Sequence, residues 1–163
     1  MRIWQSIVAA ALSLLLLTNA NALTTNIINF PQLVQAVENG DDVRAIIHFD
    51  NCLVTEPAIQ TQVMRRLEGA TTRFNFTHYF HAKDSINNQF IDTVTTSMKI
   101  SIEHPSGEFL TLTGRLSVFE DNTATLHVDF FDPILKKQRL VVDWLCNISN
   151  GQDNNGLVLF NFS

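Results

Sequence analysis

The chain has 163 residues, 45% of them apolar and 17% charged, with a formal charge of -5. That size suits one domain, the apolar share rules out a disordered chain, and the negative balance excludes a nucleic-acid binder, which needs a basic face against phosphate. Phe is unusually common at 12, against a single Tyr.

The first 22 residues read as a targeting segment. Arg2 supplies a positive start, residues 7–17 form an apolar run broken only by Ser13, and Ala20-Asn21-Ala22 is a small-x-small site. These are the three parts of a secretory signal peptide, with cleavage expected after Ala22. The run is too short to cross a bilayer, which takes about twenty residues. No Cys follows it to make a lipoprotein, and no later stretch is apolar enough to anchor the chain. The expectation is one domain over residues 23–163, secreted or periplasmic, with no transmembrane anchoring.

Residues 29–40 predict a helix. Phe30, Leu33, Val34 and Val37 follow i, i+3, i+4, i+7 spacing, Asn29 can cap the start, Pro31 suits the first turn and Gly40 the end. Residues 43–52 alternate as a strand: Val43, Ala45, Ile47 and Phe49 against Arg44, Ile46, His48 and Asp50. A second helix is expected over 57–68, where Ile59, Val63 and Leu67 share a face and Gly69 can stop it. From Thr71 the period turns to two. Phe74, Phe76, His78 and Phe80 share one parity; Met98, Ile100 and Ile102 come before a turn at His104-Pro105-Ser106-Gly107. Leu110, Leu112, Leu116 and Val118 precede a turn at Glu120-Asp121-Asn122, and Leu126, Val128 and Phe130 one at Asp132-Pro133. Leu140, Val142, Trp144 and Cys146 follow, then a polar loop over 150–156 and a last strand over 157–162. The fold class expected is α+β: a β-rich antiparallel meander sheet packed with an N-terminal helix.

Cys52 and Cys146 are an even pair in a chain bound for an oxidising compartment, and they are too far apart for a Cys-x-x-Cys redox pair. A structural bridge is expected, tying the first strand to the penultimate one. Asn75, Asn147 and Asn161 each open an Asn-x-Ser/Thr triplet. A eukaryotic host could glycosylate them. Triplets at this frequency also arise by chance, so they do not identify the host.

The polar parity carries one candidate patch. His127 and Asp129 stand i, i+2 on one strand, with Arg115 on the strand before and Arg139 and Asp143 on the strand after. Such a group could hold an acid–base pair or a ligand; the plainer reading is a solvated sheet face with cross-strand ion pairs. His78 and His81, three apart on a strand, point to opposite faces and cannot share a metal. The loop 151–156 lacks the opening Asp and closing Glu of a calcium loop and reads as a polar turn. No nucleophile elbow, zinc motif, phosphate loop or dinucleotide fingerprint occurs, so no cofactor, metal or catalytic residue is assigned. Phe49, Phe109, Phe119 and Phe131 fall on the parity opposite the main apolar set, as a second small core or as an exposed patch for a partner.

The run from Phe30 to Gly40, followed by Val43-Arg-Ala-Ile-Ile-His-Phe-Asp-Asn-Cys52, resembles the opening of VirK-like proteins, where helix, Gly, strand and Cys follow a signal peptide. The stretch from Leu116 to Pro133 and the late Cys146 are similar too. The resemblance implies a small secreted or periplasmic protein of a family named for association with bacterial virulence. It brings no established activity and no catalytic residues. The leading reading is therefore a secreted non-enzymatic binding or interaction protein with an unknown protein or small-molecule partner. The alternatives are a small secreted hydrolase built around His127 and Asp129, and an extracellular assembly factor using the odd-parity Phe residues.

Overall fold

In a computed structural model of the chain, residues 23–56, 68–103, 107 and 109–162 are described. The leader, nearly all of the helix expected over 57–68 and most of the turn at 104–107 lie outside them.

The described residues form one helix and ten strands in two antiparallel sheets around one core. The helix, α1 (Phe30–Glu38), begins where expected: Asn29 Oδ1 accepts from the Gln32 amide at 3.0 Å and Pro31 sits in the first turn. Phe30, Leu33, Ala36 and Val37 are its buried stripe. Gly40, at φ 79°, turns the chain out of the helix.

The smaller sheet has the order β1-β10-β2-β4: β1 (Thr24–Ile27), β10 (Leu157–Phe162), β2 (Asp42–His48) and β4 (Thr71–Asn75). The larger has the order β3-β9-β8-β7-β6-β5: β3 (Leu53–Val54), β9 (Lys137–Asn147), β8 (Thr123–Asp132), β7 (Phe109–Phe119), β6 (Gln89–Glu103) and β5 (Tyr79–Ile86). From β5 to β9 each strand pairs with its successor in sequence. The sequence predicts a single sheet under a helix; the strands instead divide between two, because β10 pairs with β1 and β2 rather than with β9. The parity reading survives this division. Val43, Ala45, Ile47, Phe74, Leu157 and Leu159 point inward from the smaller sheet, and Val94, Leu116, Val118, Leu126 and Trp144 from the larger. Their contact is close enough that the Phe74 ring occupies the space beside Gly114, where a Cβ would stand 2.8 Å from it.

Two local expectations change. Strand β2 ends at His48 and a 3-10 turn, Phe49–Asn51, leads to Cys52, so the cysteine follows the strand rather than ending it. The Phe74–Phe80 run is two strands in different sheets. Phe74 and Phe76 are buried as predicted, but the chain crosses between sheets at Thr77-His78 and Phe80 is left 71% exposed. The buried Thr96 hydroxyl holds this corner, 2.9 Å from the Asn75 carbonyl and 2.8 Å from the His78 carbonyl.

Cys52 and Cys146 are bonded across 94 residues, with Cα atoms 4.6 Å apart and both residues in the core. The bridge joins the residue just before β3 to β9, one position beyond the Leu53–Leu145 pair of the larger sheet.

Candidate functional site

The polar outer face of the larger sheet carries most of the residues singled out from the sequence. Strand pairing sets Ser97, Arg115, His127 and Asp143 in one row across β6, β7, β8 and β9. Thr113 and Asp129 lie in the next row. Period-two alternation puts them there, since their neighbours Leu116, Leu126, Val128, Val142 and Trp144 are all buried. His127 Nδ1 stands 2.7 Å from Asp143 Oδ1, with the side chains 35% and 41% exposed. Asp143 is thus the partner of His127, rather than Asp129. Asp129 Oδ2 accepts from Gln138 Nε2 at 3.0 Å, while its Oδ1 is buried without a hydrogen bond.

Arg139 does not join this row. The β8–β9 register shifts between Phe130 and Phe131, so that Phe130 faces Leu140 and Phe131 faces Gln138, and Arg139 is the extra residue of the bulge. Its guanidinium turns to Asp132, with Nη2 2.7 Å from Oδ2. Asp132 is buried and also accepts from the amides of Leu135 and Ile134, at 2.9 and 3.0 Å. The Leu135 amide, then Arg139, hold its carboxyl below the ordinary carboxylate range against the opposing effect of burial.

The odd-parity Phe residues do not form one group. Phe49 is buried against Trp144, ring centroids 4.9 Å apart, whereas Phe109 and Phe131 are exposed and Phe119 is half-buried. In the loop after β9, Asp153 accepts from the Ser149 hydroxyl at 2.8 Å, the Asn150 amide at 3.1 Å and Asn155 Nδ2 at 3.1 Å. The Ser149 hydroxyl first, then the Asn150 and Asn155 amides, lower its pKa against the opposing effect of burial, and its lone pairs are filled from within the loop.

Two arrangements were not anticipated. His81 on β5 links the helix to the sheet, with Nδ1 2.8 Å from Glu38 Oε1 and Nε2 3.0 Å from Asp92 Oδ1. A cavity of about 370 Å³ opens on the outer face of the smaller sheet, lined by Asp42, Arg44, Arg73, Asn75 and Thr77. The sequence signal for the cavity was present as polar-parity Arg and Asn residues, but alternation does not reveal that β2 and β4 are neighbours. Among the described residues no group of three or more His, Cys, Asp or Glu could hold a metal. No helix there is long and apolar enough to cross a membrane.

The chain matches a known family. The model of that family, described as VirK protein, fits residues 26–134, which include Cys52 and stop before Cys146. The chain belongs to the VirK family. Among solved structures it is similar to a VirK family protein from Legionella pneumophila, at 13% identity and a TM-score of 0.60, covering 82% of this chain and 97% of that one. At that identity the likeness concerns the fold. No match was found among curated proteins.

Proposed function

We propose that the chain works outside the cytoplasm as a non-enzymatic binding protein, and that the outer face of the larger sheet receives a protein partner. The observation that carries this reading is the row of Arg115, His127 and Asp143 on an open sheet face. It offers a cation, an anion and a carboxylate-oriented imidazole side by side, groups suited to a polar interface. A hydrolase of the covalent type at this place needs a hydroxyl or thiol on His127. Among the described residues no hydroxyl bonds it, the Ser117 hydroxyl is engaged by Thr95 at 2.9 Å, and both cysteines are in the bridge. The signal-peptide pattern and the Cys52–Cys146 bond support an oxidising compartment.

The test is affinity capture from the protein's native surroundings with the wild type and an Arg115→Ala/His127→Ala variant. A specific partner held by the wild type and lost by an equally stable variant is the expected result. Turnover of a substrate that His127→Ala abolishes, with no partner captured, overturns the reading in favour of the hydrolase.

A further inference from the structure

We propose that the cavity on the outer face of the smaller sheet is a binding site for a small organic anion, a molecule carrying a carboxylate, sulfate or phosphate group. The site is separate from the face of the larger sheet and does not depend on the function proposed for it.

The inference rests on which polar groups are already engaged and which are free. Strand pairing sets Arg44 opposite Asn75 and Ile46 opposite Arg73, so the two arginines are diagonal neighbours on one face at the β4 edge of the sheet. Arg44 is held on two sides. Its Nε and Nη2 donate to Asp42 Oδ1 and Oδ2 at 3.3 and 2.5 Å, and its guanidinium carbon lies 4.5 Å above the Phe162 ring. Both oxygens of Asp42, the one carboxylate of the lining, are therefore occupied, and its charge is matched by Arg44. Asn75 Oδ1 accepts from the Thr77 amide at 3.2 Å, which leaves the Asn75 amide nitrogen as the free end. Among the described residues, neither Arg73 nor that nitrogen nor the Thr77 hydroxyl has a hydrogen-bond or ion-pair partner.

What remains available in the cavity is thus mainly donors. The Arg73 fork carries a positive charge with no counterpart, and the Asn75 amide and Thr77 hydroxyl stand beside it. A planar guanidinium flanked by neutral donors complements the oxygens of a carboxylate, sulfate or phosphate. Arg44 is pre-set by its Asp42 and Phe162 contacts, so little side-chain freedom is lost when it meets a ligand. A cavity of about 370 Å³ falls in the range that takes small organic molecules rather than bare ions.

The experiment is titration calorimetry on the full chain, made in a bacterial host without N-glycosylation so that Asn75 is unmodified. The probes are glucuronate, glucose 6-phosphate and neutral glucose, with amide chemical shifts mapping the contact. Saturable binding of at least one of the two acids, no binding of glucose, and shifts centred on Arg73, Asn75 and Thr77 are expected. Which acid binds distinguishes a carboxylate site from a phosphate site. Arg73→Gln should weaken binding about tenfold or more, the effect of one charge-assisted hydrogen bond, without changing the unfolding midpoint. Glucose binding as well as the acids, no binding of either acid at millimolar concentration, or an unaltered affinity in a folded Arg73→Gln variant overturns the proposal.

Discussion

Replacing Gly156 with Ala probes the point where the smaller sheet meets the disulfide. Gly156 is buried just before β10 and its carbonyl accepts from the His48 amide at 2.8 Å. A Cβ at this position meets Cys52 Sγ and the Asn51 carbonyl, with the carbonyl oxygen at 2.8 Å and its carbon at 2.9 Å. Neither neighbour is free to swing aside. The sulfur is fixed by its bond to Cys146, and Asn51 ends a 3-10 turn closed by the Cys52 amide on the Phe49 carbonyl. Overpacking costs about 1–3 kcal/mol, and contacts with rigid groups place this change near the upper end, about 3 kcal/mol. With a urea slope of about 1.5 kcal/mol/M, the unfolding midpoint falls by about 2 M. Trp144, buried against Phe49, supplies the fluorescence signal. Removing the obstructing sulfur with Cys52→Ala/Cys146→Ala should make Gly156→Ala less costly in a double-mutant cycle. A Gly156→Ala midpoint equal to wild type refutes the close approach of these three groups.

Reducing the disulfide, or replacing both cysteines by Ser, removes the constraint on a 94-residue separation. The chain-entropy model sets this at about 4.6 kcal/mol, read as the difference between oxidised and reduced unfolding curves. Asp132 has a lowered folded pKa, so its contribution to stability is complete above its ordinary value of 3.8 and is lost as pH falls through the lower folded value. Asp132→Asn should therefore destabilise at neutral pH and flatten the acid limb; an unchanged acid midpoint contradicts the role given to Leu135 and Arg139. Asn29→Ala removes the cap on the Gln32 amide and should cost about 1 kcal/mol in thermal or urea unfolding. The Phe30 amide keeps its acceptor in that variant, Asn122 Oδ1 at 2.8 Å.

Local signals carried far in this chain. Helix α1 was legible because the Asn29 cap, Pro31 and each step of the Phe30–Val37 stripe act between residues no more than four apart. The buried face of the larger sheet was legible because alternation depends only on the pleat. The division into two sheets was not, because Val43-Arg44-Ala45-Ile46-Ile47 alternates in the same way whichever strand it pairs with. The corner at Thr77-His78 was hidden for a related reason: Phe74 and Phe76 keep their parity up to the turn, and the hydroxyl that holds it comes from Thr96 on another strand. Of the candidate patch, strand pairing sets Arg115, His127 and Asp143 in one row and Asp129 in the next, as residues of one parity on neighbouring strands. Arg139 stands off that row, since the bulge between Phe130 and Phe131 leaves no mark that alternation can read. The Arg44–Arg73 cavity was only half legible: alternation marks both arginines as polar-parity residues, but the pairing of β2 with β4 that brings them together leaves no local signal.

The Cys52–Cys146 bond also bears on the order in which the fold closes. The larger sheet grows from β5 to β9 by hairpins between consecutive strands, whereas β10 must find β2 across roughly 110 residues of intervening chain. Once Cys52 and Cys146 are joined, the shortest path from Ile47 to Leu157 runs through the sulfurs and spans roughly 17 residues. Loop-closure entropy puts the saving at about 1.7 kcal/mol. If that closure limits the rate, oxidised chains refold on the order of 15-fold faster than reduced ones. In this molecule the bridge shortens a search as well as strengthening the finished domain.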